Sequence, residues 1–199
     1  MCIRDKIDNP DRGFSYKQEG PLDLRMNPEK GESAAKRLQK MTKEELCGML
    51  AENSDEPYAR EISDKIVSWI KRGRKVETTT NLREAVEEAL SFLPVKERKE
   101  AVKKSCRRTF QALRIDVNNE FEVLYEFLEK LPEVLKEGGR VAILTFHSGE
   151  DRLVKKSFKY FLNQGVYREI ASDVIRPSAR ECSRNSRARS AKMRWAIKS

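Results

Sequence analysis

The sequence predicts an α/β protein in which a run of helices leads into the end of an open sheet. Three observations point there. Apolar residues recur every three or four positions over most of the stretch from Ser33 to Leu131, the period of amphipathic helices. Gly138-Gly139 then stops the helical pattern, and Arg140 to Phe146 is a continuous apolar, β-branched run of strand length, of the kind buried on both faces. A helix and two weaker strands follow, the order in which an α/β sheet finishes.

Residues 1–31 read as irregular, because Pro10, Gly13, Gly20, Pro21, Pro28 and Gly31 punctuate them and no apolar period survives between. Ser33 can cap the stretch leading to Leu38, and Thr42 to Glu45 has the spacing of a capping box before Leu46, Met49 and Leu50. Pro57 suits a first helical position, after which Ile62, Ile66, Val67 and Ile70 form one stripe. Asn81 with Glu84 opens a helix carrying Leu82, Ala85, Val86, Ala89 and Leu90. From Thr109 to Leu131 the positions Phe110, Leu113, Val117, Phe121, Leu124 and Leu128 predict one long amphipathic helix, and Pro132 begins a fresh turn. After the strand, Glu150 to Phe161 reads as helix, and Val166 to Ile175 and Ala191 to Ile197 as strands. No internal repeat is present.

A length of 199 residues allows one sizeable domain or two small ones. With 37% charged residues and no apolar run of bilayer length, a membrane protein is not indicated. The N-terminus lacks the sections of a secretory signal, and Cys2, Cys47, Cys106 and Cys182 form no CxxC pair. They read as free thiols in a reducing, cytoplasmic setting, without a metal centre. Of the net charge of +9, most lies at the C-terminus, where Arg176 to Ser199 holds eight basic residues against Glu181 alone. Clustered Lys and Arg favour a polyanion partner through counterion release, although a merely solvated basic tail is an equal reading of charge alone.

The chain's only histidine stands directly after the strand, in His147-Ser148-Gly149-Glu150-Asp151-Arg152. In open α/β sheets ligands bind beyond the carboxyl ends of the strands, so this position suits a site. A purely structural reading also accounts for several of the residues, since Ser148 can cap the next helix and Glu150 and Asp151 suit its first turn. No nucleophile elbow, HExxH, P-loop or GxGxxG accompanies them.

Four stretches together resemble one family: "NPDRGFSYKQEGPLDLRMNP" (Asn9 to Pro28), "RRTFQALRIDVNNE" (Arg107 to Glu120), "GGRVAILTFHSGEDRLVK" (Gly138 to Lys155) and "SRARSAKMR" (Ser186 to Arg194). They are similar to the bacterial 16S ribosomal RNA cytosine-N4 methyltransferases, the MraW or RsmH family, and occur in that family's order. The resemblance implies a Rossmann-like class I methyltransferase sheet that binds S-adenosylmethionine and carries an all-α inserted domain. Residues 1–28 would be a remnant of the catalytic domain, 29–108 the helical insert, and 109–199 the return into the catalytic sheet with its basic tail.

It also implies roles for single residues. His147 and Ser148 would lie near the target cytosine, an imidazole or hydroxyl orienting its amine. Arg12, Arg25 and Arg152, with Arg187, Arg189, Lys192 and Arg194 of the tail, would meet RNA phosphates, and Phe14 would stack on a base. The arginines could equally pin loops, as an Arg held against Asp23 or Asp151 would. The partners implied are 16S ribosomal RNA in the small ribosomal subunit, no membrane, and a homodimer.

The sequence departs from the family at several points. Gly149 replaces the leucine of "FHSLEDR", Ser105-Cys106 replaces a more usual proline-containing pair, and the segment from about Asn163 to Ile175 is shorter. Lys6 stands where glutamine is frequent. The family's cofactor site precedes the point matched by Asp8, so no residue of this chain is expected to hold S-adenosylmethionine. A partial sheet, inactive by itself, with a bare apolar face and an unpaired strand edge is the expectation. Met1-Cys-Ile-Arg-Asp5 reads as the translated end of a sequencing-library adapter. The alternative function is a non-catalytic RNA-binding module made of the helical insert and basic tail. A helical DNA-binding protein has only charge and short helices in its favour.

Overall fold

The computed structural model describes residues 9–199. The adapter-like Met1 to Asp5, with Cys2 and Lys6, lies outside the described residues. The chain forms two compact units, Met1–Glu120 and Phe121–Ser199.

In the first unit, five helices enclose one core: α1 (Ala34–Lys40), α2 (Lys43–Ser54), α3 (Ala59–Lys71), α4 (Thr79–Ala89) and α5 (Val95–Asn118). Their apolar stripes supply it, through Leu38, Leu46, Leu50, Ile62, Ile66, Leu82, Val86 and Leu113, all essentially inaccessible to solvent. The expected caps form at two starts. Ser33 accepts from the Lys36 N–H, and Thr42 and Glu45 complete a capping box. At α4 the box is built from Thr78 and Asn81, so the helix opens at Thr79 rather than at Asn81. At α3 the first helical residue is Ala59, behind Tyr58, and not Pro57.

The long helix expected from Thr109 to Leu131 is two. Asn119 takes a left-handed conformation with φ of 49°, a geometry asparagine tolerates, and this breaks the apolar period between α5 and α6 (Glu120–Val134). Pro132 lies buried inside α6 and starts no new turn. The lysine-rich stretch from Val95 belongs to α5, although its outward charges gave it no period of its own.

Residues 9–28 are irregular apart from a short 3-10 turn at Pro10–Arg12, yet they are firmly fastened. Leu22 and Leu24 enter the helical core. Gly13 (φ 71°) and Gly20 are needed where the loop doubles back, because a Cβ would run into the Pro21 carbonyl at one and the Pro10 carbonyl at the other. Asn118 ties the loop to α5: its Nδ2 donates to the Leu24 carbonyl at 2.8 Å and its Oδ1 accepts from the Met26 N–H at 2.7 Å.

The second unit holds α6, β1 (Arg140–Thr145), α7 (Ser148–Asn163), β2 (Tyr167–Ile170), the short α8 (Ala179–Arg184) and β3 (Lys192–Lys198). The described strands form one sheet in the order β1-β3-β2, with β3 antiparallel to both neighbours. Register pairs Val141 with Ala196, Ile143 with Arg194 and Thr145 with Lys192. Strand side chains alternate between faces, so Val141, Ile143, Arg194 and Ala196 share one face. That face meets the apolar residues of α6 and α7, among them Leu128, Leu131, Val154 and Phe158.

The apolar run of β1 is therefore buried on one face and not on both. Leu144 is 55% exposed, Ala142 is open, and among the described strands β1 pairs only with β3. No helix among the described residues is long and apolar enough to cross a membrane.

Replacing Asn118 with Ala strands a carbonyl and an N–H inside the loop, so stability should fall by about 1–3 kcal/mol in urea unfolding. Glu126→Ala, which removes a fully exposed ion pair with Lys130, should leave the urea midpoint nearly unchanged.

Candidate functional site

The site begins where β1 ends. Thr145 is buried, and its hydroxyl donates to the Lys192 carbonyl across the ladder at 3.3 Å. The chain then leaves the sheet through Phe146 and enters α7. Here the sequence expectation changes: the residue that caps α7 is His147, not Ser148. Its Nδ1 accepts the Glu150 N–H at 3.4 Å, while the Glu150 carboxylate reaches back to the Phe146 N–H at 2.9 Å. This is the reciprocal logic of a capping box with imidazole as the acceptor.

That bond fixes the tautomer. With the Nδ1 lone pair occupied, the proton of the neutral ring sits on Nε2. Nε2 lies 3.2 Å from Glu150 Oε1, but its N–H is not aligned for a hydrogen bond there. The ring is half enclosed by Phe121, at 5.8 Å between centroids.

Gly149 explains part of this packing. A Cβ at Gly149 would sit 2.5 Å from Phe121 Cζ, so the phenyl ring occupies the space that a side chain there would need. Glycine is thus matched to phenylalanine, and the ring also walls in His147.

Asp151 fastens the turn to the sheet. Arg194 on β3 donates from Nε at 2.7 Å and from Nη2 at 3.2 Å to the two carboxylate oxygens, and Lys192 Nζ lies 3.7 Å away. Both partners of the fork are largely buried, with side chains 13% and 11% exposed. Burial alone pushes the Asp151 carboxyl up, but the hydrogen bonds and charge of Arg194, helped by Lys192, outweigh it and hold the group below the usual carboxylate range.

The residues singled out from sequence fall in both units. His147, Ser148, Lys192 and Arg194 meet around the start of α7. Arg152 is exposed on its first turns, and Arg187 and Arg189 are exposed on the 3-10 turn Ser186–Ser190. In the first unit, Arg25 forks onto Asp23 at 2.8 and 2.7 Å and donates to the Gly31 carbonyl. Arg12 donates to the carbonyls of Arg25 and Met26, and Phe14 packs partly buried against the helical core. Arg12, Arg25 and Arg194 are thus each hydrogen-bonded within the fold.

Sequence reasoning missed the coupling of Glu150 to the Phe146 N–H and the Phe121 wall. It also missed an open cleft along α7 lined by Lys155, Lys159 and Arg168. Only the i, i+4 spacing of the two lysines hinted at that cleft. The described cysteines, Cys47, Cys106 and Cys182, are free, and burial pushes the Cys106 thiol up to about 12, which makes it inert.

The family model described as the MraW methylase family matches residues 4–199. The chain is 68% identical over 193 residues to the "Ribosomal RNA small subunit methyltransferase H 1" of Lachnoclostridium phytofermentans, a match covering 97% of this chain and 53% of that protein. It is 65% identical to the "Ribosomal RNA small subunit methyltransferase H 2" of Alkaliphilus metalliredigens and 62% to the "Ribosomal RNA small subunit methyltransferase H 1" of Agathobacter rectalis, covering 97% of this chain and 55% of each. The chain thus spans about half the length of the curated relatives it matches.

The depressed Asp151 group has a defined sign. Its contribution is complete above the ordinary unfolded aspartate value of about 3.9 and is lost as pH falls through that value towards the lower folded one. Urea midpoints should fall more steeply below about pH 4 in the wild type than in Asp151→Asn, whose overall stability is lower at neutral pH. Gly149→Ala should displace the Phe121 ring at a net change within about 1 kcal/mol, since the gain in helix propensity offsets the crowding, and in Phe121→Leu the same substitution should be more favourable in a double-mutant cycle.

Proposed function

The chain belongs to the MraW methylase family, and on that premise we propose that it supplies the RNA-facing part of an enzyme that moves a methyl group from S-adenosylmethionine to the N4 amine of a cytosine in small-subunit ribosomal RNA. The observation that carries this reading is the His147–Ser148 turn at the carboxyl end of β1, tied to β3 through Asp151 and Arg194. The names of the relatives supply the ribosomal RNA target, and a ribosomal target implies the cytoplasm. The division 1–28, 29–108 and 109–199 assigns the helical unit the role of an insert.

The chemistry of the amine suits this turn. The N4 lone pair is delocalised into the cytosine ring, so a nearby acceptor that draws one amine hydrogen helps the nitrogen pyramidalise towards a methyl group. Ser148 Oγ is the acceptor of the pair. The imidazole does not fill that role, because its Nδ1 lone pair is bound to the Glu150 N–H and its Nε2 is buried beside Glu150, so it holds the turn rather than the base.

Methyl transfer also needs a pocket for S-adenosylmethionine, and the described residues do not fit that molecule. Among them no glycine-rich strand-to-helix loop stands ready to cradle it. Gly138 and Gly139 turn the chain before β1, and Gly149 makes way for Phe121. No step is therefore derived through the donor. A non-catalytic RNA-binding module remains the second reading, favoured by the same misfit.

Calorimetry should detect no saturable S-adenosylmethionine binding by the 199-residue chain; saturable uptake would overturn this division of labour. Single-stranded RNA should bind with strong salt dependence. Arg152→Gln, Arg187→Gln and Arg189→Gln should each lower the slope of log K against log salt by about 0.7 for every phosphate no longer neutralised. Arg25→Gln should instead lower thermal stability and leave that slope unchanged.

A further inference from the structure

Beside the turn, α7 and β2 flank a cleft of about 540 Å³, within the range of about 300–1,000 Å³ common for ligand clefts. Its floor is apolar: Leu162 and Ile170 line it, above the buried Phe158 and Ala171. Its rim is cationic. Lys155 and Lys159 stand one turn apart on α7 and Arg168 stands opposite on β2, all three exposed and, among the described residues, without an ion pair. Arg194 also lines the cleft, but its charge is met by Asp151, and Glu169 is the one acid in the lining.

An apolar floor under a ring of unneutralised cations matches a nucleotide, whose base face is apolar and whose phosphate is an anion. We propose that this cleft is a second RNA contact, holding one unpaired nucleotide with its base over Leu162 and Ile170 and its phosphate between Lys155, Lys159 and Arg168. The proposal rests on the ribosomal RNA reading of the turn and extends it. Both places flank α7, so one strand of RNA could be gripped at the target base and again along the same helix. Charge supports an RNA backbone over an apolar protein partner, because three cations at a cleft mouth disfavour an apolar occupant and gain from counterion release.

The test uses the whole chain and a fluorescein-labelled single-stranded RNA of about 12 nucleotides, followed by anisotropy over a salt series. Lys155→Gln/Lys159→Gln/Arg168→Gln should weaken binding at least about 10-fold and flatten the slope of log K against log salt by about 0.7, the share of one phosphate. A charge-matched control, Lys96→Gln/Lys99→Gln/Lys103→Gln on exposed positions of α5, should leave affinity within about 2-fold. Thermal midpoints check that the triple variants fold, and Lys159→Glu alone serves should the first fail to fold. Cytidine monophosphate should shift the amide signals of Arg168 to Ser172 in the wild type.

Wild-type chain that binds no RNA would overturn the ribosomal RNA reading and this contact with it. Wild-type chain that binds RNA while the cleft variant binds equally well would overturn the cleft alone. Equal losses in cleft and control variants would reduce the effect to bulk charge and overturn it also.

Discussion

The fork of Arg194 on Asp151 is the contact on which the candidate site depends. A β-strand delivers a chain end to the rim of a sheet, but it does not decide how the following turn is oriented. Here β3, paired with β1 in fixed register, carries Arg194 on the helix-covered face, and Arg194 grips the first turn of α7 by two hydrogen bonds. Asp151 is thereby held, and with it the residues one turn earlier, His147 and Ser148. Breaking a pair this enclosed would leave a buried charge without a partner, a larger loss than the pair's own net contribution. The fork specifies geometry more than it adds stability.

The same principle sorts the many cations of this basic chain. Arg37 is fastened to Asp116, Arg114 forks onto Glu120, Arg25 onto Asp23 and Arg194 onto Asp151. These guanidiniums are half-buried or buried and serve loops, helix ends and the sheet. Lys155, Lys159 and Arg168 are exposed, have no such partner among the described residues, and ring a concave surface. Net charge alone would count all of them as candidates for a polyanion. Their surroundings divide them into structural and available groups.

Much of the helical half was legible because amphipathic period and cap chemistry are local. Ser33 and the Thr42–Glu45 box start helices where their side chains can reach N–H groups three residues on. The long helix split because a left-handed Asn119 costs the apolar pattern little, so periodicity runs on across the break. Pro132 misled because a proline in the last turn of α6 is tolerated where its burial is favourable. The strand β1 was visible as an apolar run, but which of its faces is covered depends on partners that one strand's sequence does not specify. The site was legible as a place rather than as an arrangement. Its position after β1 followed from the chain order, and the possibility of an Arg pinned by Asp151 followed from charge. That His147 rather than Ser148 would cap α7 did not follow, because imidazole is a rare cap and its choice depends on Glu150 reaching back to the Phe146 N–H. The fit of Phe121 to Gly149 likewise joins residues far apart in the chain, invisible to any local rule.

Amide hydrogen exchange in Asp151→Asn tests most directly whether the fork holds the turn. The reporter is the Glu150 N–H, which His147 Nδ1 accepts at 3.4 Å. If the fork orients the turn, that amide should exchange about 10-fold faster than in the wild type, a loss of about 1.4 kcal/mol of local stability, while the amides pairing β2 with β3 keep their protection. Unchanged exchange at Glu150 would mean that the turn keeps its shape without the fork, and the candidate site would then lack the constraint assigned to it.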